Sequence, residues 1–255
     1  MRLLAFALLF AIVSAGTVSA QSDITEALAA GDAHYAAFDN VAAISDYEAA
    51  RSLASDDFEV LWRLTRTYND LAQDQMAEGD SRVAEETFGI AVAFGEQLVD
   101  AYPNRPESHF FLAAAMGQLA LFKGGRDKVR FGQAVDASIN RAIELDPSYP
   151  LSYIALGIYY REISELNWVQ RTLAKALFGG VPDGSKEDAV EMLNKAIELD
   201  PTLTTAHFEL GKTYAMMRQR DKAKSHFEQM LALAPNTTAD VRSQEWVREL
   251  LADWQ

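Results

Sequence analysis

The chain has 255 residues, 49% of them apolar, which is enough for one long domain with a substantial core. Its 37 acidic and 23 basic side chains give a formal charge of −14, which argues against nucleic acid and anionic membrane surfaces, both held by clustered Lys and Arg. There is no cysteine, so disulfides, zinc–thiolate sites, a catalytic thiol and a lipidated N-terminal cysteine are excluded.

Arg2 is the only charge before Asp23, and Leu3 to Val13 is a continuous apolar run. Val18-Ser19-Ala20 then places small residues ahead of Gln21. This pattern predicts a secretory signal peptide over 1–20, cleaved after Ala20, and an exported protein, periplasmic or secreted. The rival is a short membrane anchor, but Ser14, Gly16, Thr17 and Ser19 dilute its second half. No later stretch is apolar enough to span a membrane, so no stable insertion is expected once the leader is removed.

From residue 22 to 255 no composition break marks a boundary, and one domain is expected. Its first unit, 24–57, carries Gly31, Ala43, Tyr47 and Ala50. A looser unit, 58–105, closes at Tyr102-Pro103-Asn104. The third, 106–149, turns at Lys123-Gly124-Gly125-Arg126 and ends on Ala142-Ile143-Glu144-Leu145-Asp146-Pro147. The fourth, 150–203, opens with Leu156-Gly157 and Tyr160 and ends on the same hexapeptide, Ala196 to Pro201. The fifth, 204–237, is the clearest, with Leu210, Gly211 and Tyr214 in its first half and Ala223, Phe227, Met230 and Pro235 in its second. A capping helix over 238–253 carries Val241, Trp246, Val247, Leu250 and Leu251.

The middle units exceed the others in length, and the excess is expected between their two helices. In the fourth unit Leu166, Val169, Leu173 and Leu177 recur at helical spacing, which predicts an inserted helix stopped by Gly179-Gly180 and Pro182. Trp168 and Phe178 within it are expected in the core.

The spacing Leu-Gly-x2-Tyr, then Ala-x3-Phe, then Pro resembles the tetratricopeptide repeat. Gly211 permits close approach of two helices, Tyr214 and Phe227 fill the space between them, and Pro235 stops the second helix. The expected fold is therefore an all-α, tetratricopeptide-like helical-repeat solenoid of about five helix pairs, with an inserted helix and a C-terminal capping helix.

Ile163 to Trp168, Leu173 to Pro182, Glu187-Asp188-Ala189-Val190 and Leu210-Gly211-Lys212 follow in an order that resembles the regulator of microtubule dynamics family and its bacterial relatives. The resemblance covers Ala134 to Leu251 and implies a helical repeat fold and a role in protein association. An exported protein would not meet tubulin, so microtubule binding is not among its implications here. The chain is also similar to the periplasmic tetratricopeptide component of some solute transporters. That similarity implies a small organic ligand.

No motif for catalysis or cofactor binding appears. His34, His109, His207 and His226 lack zinc-site spacing, and neither a phosphate-cradling glycine loop nor a Gly-x-Ser-x-Gly turn is present. The remaining candidate site is the groove lined by the first helix of each pair. The repeat frame places Trp62, Arg66 and Asn69 there in the second unit, Phe110 and Gln118 in the third, Ile154, Ile158, Arg161 and Glu162 in the fourth, and Thr205, Phe208, Lys212 and Met216 in the fifth. The inserted helix, being apolar, is an alternative cover for Ile154, Ile158 and Phe208. Aromatics supply contact area, and Arg or Lys clamps a carboxylate. The expected function is an exported, non-catalytic, protein- or peptide-binding scaffold without cofactors. The alternative is a periplasmic accessory of solute transport.

Overall fold

Among the described residues, 22–180 and 183–254, this computed structural model contains helices and turns and no strand; the side chains of residues 125, 126, 177 and 178 are left aside. The expected leader over 1–20 lies outside the described residues, as do Val181 and Pro182. Five antiparallel pairs follow in order: α1 (22–36) with α2 (Asn40–Leu53), α3 (Phe58–Glu78) with α4 (Ser81–Ala101), α5 (Pro106–Lys123) with α6 (Gly125–Leu145), α7 (Pro150–Ser164) with α9 (Lys186–Leu199), and α10 (Thr204–Met216) with α11 (Arg220–Ala232). The insert is α8 (Trp168–Phe178) and the last helix is α12 (Thr238–Asp253).

One pattern in the second helix of each pair explains the stacking. Ala43-Tyr47-Ala50, Ala84-Phe88-Ala91, Val135-Ile139-Ala142, Ala189-Leu193-Ala196 and Ala223-Phe227-Met230 share one spacing and are all buried. The first residue lets the partner helix come close, and the second fills the space beside it. In three pairs the first helix answers with glycine: a Cβ on Gly31 would collide with Tyr47, one on Gly157 with Leu193, and one on Gly211 with Phe227. The second pair lacks such a glycine and is instead built from two 21-residue helices. Its excess length therefore extends the helices instead of lying between them, because Gly79, at φ 93°, turns the chain within two residues.

The unit boundaries are set by a recurring turn. Asp146 Oδ1 accepts from Ser148 N and Oγ, and Asp200 Oδ1 accepts from Thr202 N and Oγ1, at 2.6–2.9 Å. The carbonyl of each boundary proline then accepts from the side chain six residues on. Pro103 is answered by His109 at 2.8 Å, Pro147 by Tyr153 at 2.9 Å and Pro201 by His207 at 3.2 Å. Two of the four histidines thus fasten turns.

The backbones of first helices come close to those of first helices in the next unit (α3 with α5, α5 with α7, α7 with α10), whereas the backbones of α2 and α4, and of α4 and α6, stand further apart, with Arg51 of α2 reaching the Phe94 ring of α4 at 4.9 Å. The first helices therefore form the inner, crowded layer and the second helices the splayed outer layer. The insert packs on α6, in the outer layer, and Gln133 Nε2 donates to Gly180 O at 3.1 Å. It leaves the groove open. Trp168, expected in the core, is 77% exposed, because it stands at the first turn of α8 where the helix leaves the stack.

The last helix does more than cover the fifth unit. Its Val247 and Gln244 are buried against α11, and Trp246 packs edge-on against Phe208 and Phe227 at 6.0 Å. Its other end reaches α3: Thr238 Oγ1 and Arg242 Nη1 both donate to Asp74 Oδ1, at 2.6 and 2.5 Å. The fifth unit is thereby joined to the second across the mouth of the groove.

Candidate functional site

The inner layer encloses two adjoining cavities. The smaller, about 260 Å³, lies between α5, α6 and α7 and is almost wholly apolar, with Val135, Ile139, Ile154 and Ile158 in its wall. The larger, about 570 Å³, lies between α1, α3 and α5 and reaches Thr237 at the start of α12. Phe110, Ala114 and Leu151 belong to both walls, so the two cavities adjoin there.

The larger cavity is built on the face of α3 that carries Trp62, Arg66, Asn69 and Asp70, residues spaced one turn apart. Trp62 stacks on Phe111 with centroids 5.4 Å apart, and its indole N–H donates to Glu59 at 3.0 Å. Arg66 lies between two rings, 3.5 Å from the Tyr35 centroid and 4.8 Å from that of Trp62. Its Nε and Nη2 are buried without an acceptor, and so is Asn69 Oδ1 without a donor. Asp70 accepts from Tyr35 OH at 2.7 Å. Burial pushes its carboxyl up to about 6, against the pull of the Tyr35 hydroxyl and the Arg66 guanidinium. Arg105, just ahead of α5, rests 3.8 Å from the Phe58 centroid.

Of the groove residues expected from the sequence, Trp62, Arg66, Asn69 and Phe110 meet at the larger cavity. Gln118, Ile154, Ile158, Glu162 and Thr205 line the smaller one, again with Phe110. Arg161, Phe208 and Lys212 line neither. Arg161 is 3% exposed and its Nη1 sits 2.5 Å from Glu209 Oε2. Lys212 pairs with the other oxygen of Glu209 at 3.2 Å. Burial alone would raise Glu209, but these two cations outweigh it and hold the carboxyl below its ordinary value. Phe208 is covered by Trp246 of α12, not by the insert.

Sequence reasoning passed over Tyr35, Asp70, Arg105 and Phe111. Asp70 had a usable signal, a carboxylate one turn beyond Arg66; Arg105 had none beyond preceding Pro106. It also passed over the meeting of His207 and His226, whose Nδ1 atoms lie 3.4 Å apart. Burial, with His207 alongside, lowers His226. Among the described residues no group of three His, Asp or Glu is placed to hold a metal ion. Nor, among them, is any helix long and apolar enough to cross a membrane.

Stacked helix pairs with small-residue seams, an inner layer of first helices and a hollow along it define a tetratricopeptide-type repeat protein. The family described as "Regulator of microtubule dynamics protein 1-3" matches residues 27–255, and the chain belongs to it. The match extends well beyond the C-terminal half in which the motifs stand out. Regulator of microtubule dynamics protein 2 of Bos taurus is 27% identical over 198 residues, covering 76% of this chain and 47% of the relative. Protein 1 of Mus musculus is 27% identical over 199 residues, covering 77% of this chain and 64% of the relative. The chain thus spans about half the length of the first of these relatives. Among solved structures, a thermophilic TPR protein of Thermus thermophilus superposes with a TM-score of 0.67 at 20% identity, covering 90% of this chain and 99% of that one. Pseudomonas aeruginosa pilF superposes with a TM-score of 0.51 at 9% identity, covering 92% and 87%. These superpositions establish the fold.

The family corrects one expectation. A periplasmic or secreted location does not stand, because these relatives are mammalian proteins named as regulators of microtubule dynamics. The sequence argument for export rested on residues 1–20 alone, and the reason for setting microtubules aside falls with it.

Proposed function

We propose that this chain is a non-catalytic scaffold that holds a peptide segment of a partner protein in the hollow of its inner layer. The observation that carries the reading is the pair of adjoining cavities, which share Phe110, Ala114 and Leu151 and lie along first helices of successive units. Aromatic rings and an Arg supply the contact chemistry that dominates protein interfaces. The formal charge of −14 supports a protein partner over nucleic acid. The name shared by the relatives points to a partner within the microtubule system. A photocrosslinking residue placed at Phe110 or Gln118, and in parallel at Glu228 on the outer helix α11, tests this in an extract containing assembled microtubules. Adducts from the inner positions are expected; adducts from the outer position alone overturn the reading.

A second reading, a small organic ligand, is favoured by the apolar wall of the 260 Å³ cavity. A ligand at 100 times its dissociation constant adds about 2.7 kcal/mol of stability, so a thermal-shift screen detects it.

A further inference from the structure

We propose that His207 and His226 form a proton-operated latch across the fifth helix pair, closed while the two rings share an N–H and parted when both are charged. Neither ring lines either cavity, so the latch stands whether or not a peptide is held there.

His207, on α10, is 5% exposed, and His226, on α11, is part-buried. Their ring centroids lie 5.7 Å apart and their Nδ1 atoms 3.4 Å apart, so the two nitrogens face each other across the seam. The tautomers follow from the boundary turn. The Pro201 carbonyl oxygen only accepts, so His207 Nε2, 3.2 Å from it, carries a hydrogen. Neutral His207 therefore presents Nδ1 as an acceptor, and His226 donates to it from its own Nδ1. One added proton keeps an N–H between the rings, because a protonated imidazole still donates to a neutral one. A second proton puts a hydrogen on both Nδ1 atoms, and two donors of like charge then confront each other.

Among the described residues no carboxylate pairs with either ring, so the second charge has no counterion. His226 stacks on Tyr214 with centroids 5.6 Å apart, and Lys222 Nζ lies 5.1 Å from that Tyr214 ring. The acids on the surrounding elements have other partners. Glu198 of α9 pairs with Lys195, and Asp200 of the turn accepts from Thr202. Glu209 of α10 pairs with Arg161 of α7 and with Lys212, Glu228 of α11 with Lys224, and Asp240 of α12 accepts from Thr205. Burial and the neighbouring His207 both hold His226 below its ordinary value. A group lowered in this way stabilises the fold above the ordinary histidine range and loses that contribution as pH falls. His226 is the more exposed ring and swings outward, while His207 keeps its bond to Pro201. The helix α11 then loses a tie to α10. With it loosens α12, which packs on α11 and starts beside Thr237 in the wall of the larger cavity.

The test is histidine-selective nitrogen NMR on the full chain from pH 8 to pH 4.5, joined to amide exchange, corrected for intrinsic rates, at pH 7.5 and 4.5. At pH 8 the hydrogen is expected on Nε2 of His207 and on Nδ1 of His226. On acidification the pair is expected to titrate in two separated steps. Exchange in α11 and α12 is expected to quicken at least about fivefold at pH 4.5, measured against α7 and α9. His226→Gln supplies a side-chain N–H to His207 Nδ1 without titrating, and is expected to hold that change below about twofold. His226→Phe keeps a ring on Tyr214 but loses the bond, and is expected to exchange fast at both pH values. Circular dichroism and thermal melting check that each variant is folded. Hydrogen on Nδ1 of His207 at pH 8, coincident midpoints for the two rings, no quickening in the parent, or equal quickening in the parent and in His226→Gln each overturns the proposal.

Discussion

Asp70 shows how the inner wall trades stability for chemistry. It is buried one turn from Arg66, accepts from Tyr35, and has its carboxyl raised from 3.8 to about 6. Between those values the folded protein binds more protons at this site than the unfolded chain does, so stability falls as pH rises through the window. Above about pH 6 the whole penalty is present. Asp70→Asn cannot ionise yet still accepts from Tyr35 through Oδ1. It is expected to stabilise the fold at pH 7.5 by about 1–2 kcal/mol, given 1.36 kcal/mol per pK unit, and to change little at pH 4. Melting curves at the two pH values check this; a lower melting temperature at pH 7.5 would show instead that Arg66 depends on the charge. The neighbouring case runs the other way. Arg161 has the helical spacing of a groove residue, and the sequence offers no sign that Glu209, from the next unit, turns inward to meet it. A long polar side chain on an inner face reads the same whether it awaits a ligand or has a partner already.

Among the elements, the second helices carried the most legible signal. Ala43, Ala189 and Ala223 each stand four residues before a large side chain, and glycine stands on the facing helix. The fourth and fifth units were readable because each opens on Leu-Gly, and the third and fourth because each closes on Asp-Pro. The second unit was harder to read because its helices are longer and its seam has no glycine opposite it. The insert was legible as a helix through its spacing, but not its place in the stack. An amphipathic stripe says that one face is covered, not by which layer. The glycine seam can be tested by pairs. A Cβ at residue 157 would lie 2.7 Å from Leu193 Cγ and 3.1 Å from the Ala189 carbonyl oxygen. Overpacking costs about 1–3 kcal/mol, against about 1 kcal/mol gained from helix propensity. Gly157→Ala is therefore expected to destabilise by about 1 kcal/mol, whereas Gly89→Ala, which meets nothing within 4 Å, stabilises. Combined with Leu193→Ala, Gly157→Ala costs less than the sum of the two changes, because the smaller side chain leaves room for the methyl. Strict additivity in urea unfolding would count against the close crossing.

At the scale of the whole molecule, the unforeseen feature is closure. A solenoid read from its sequence is open-ended, since each unit contacts only its neighbours. Here α12 joins the fifth unit to the second through Asp74, which accepts from Thr238, Arg242 and Asn40. The partners stand 164 and 168 residues beyond Asp74, outside any repeat period, so no local pattern announces them. Curvature brings them together: first helices touch along the inside while second helices splay, and the three steps from the second unit to the fifth bend the far end back to α3. Thr237, in the wall of the larger cavity, makes this joint part of the candidate site. Arg242 is 37% exposed, so solvent screens the ion pair. Asp74→Ala is expected to cost about 1–2 kcal/mol overall while freeing α12 locally. Amide exchange should then quicken in α12 and at the end of α3, and stay unchanged in α7 and α9. In the parent protein, 1 M salt should produce part of the same local change. Unaltered exchange in α12 would mean that its packing on Phe208 and Phe227 holds the ring shut without Asp74.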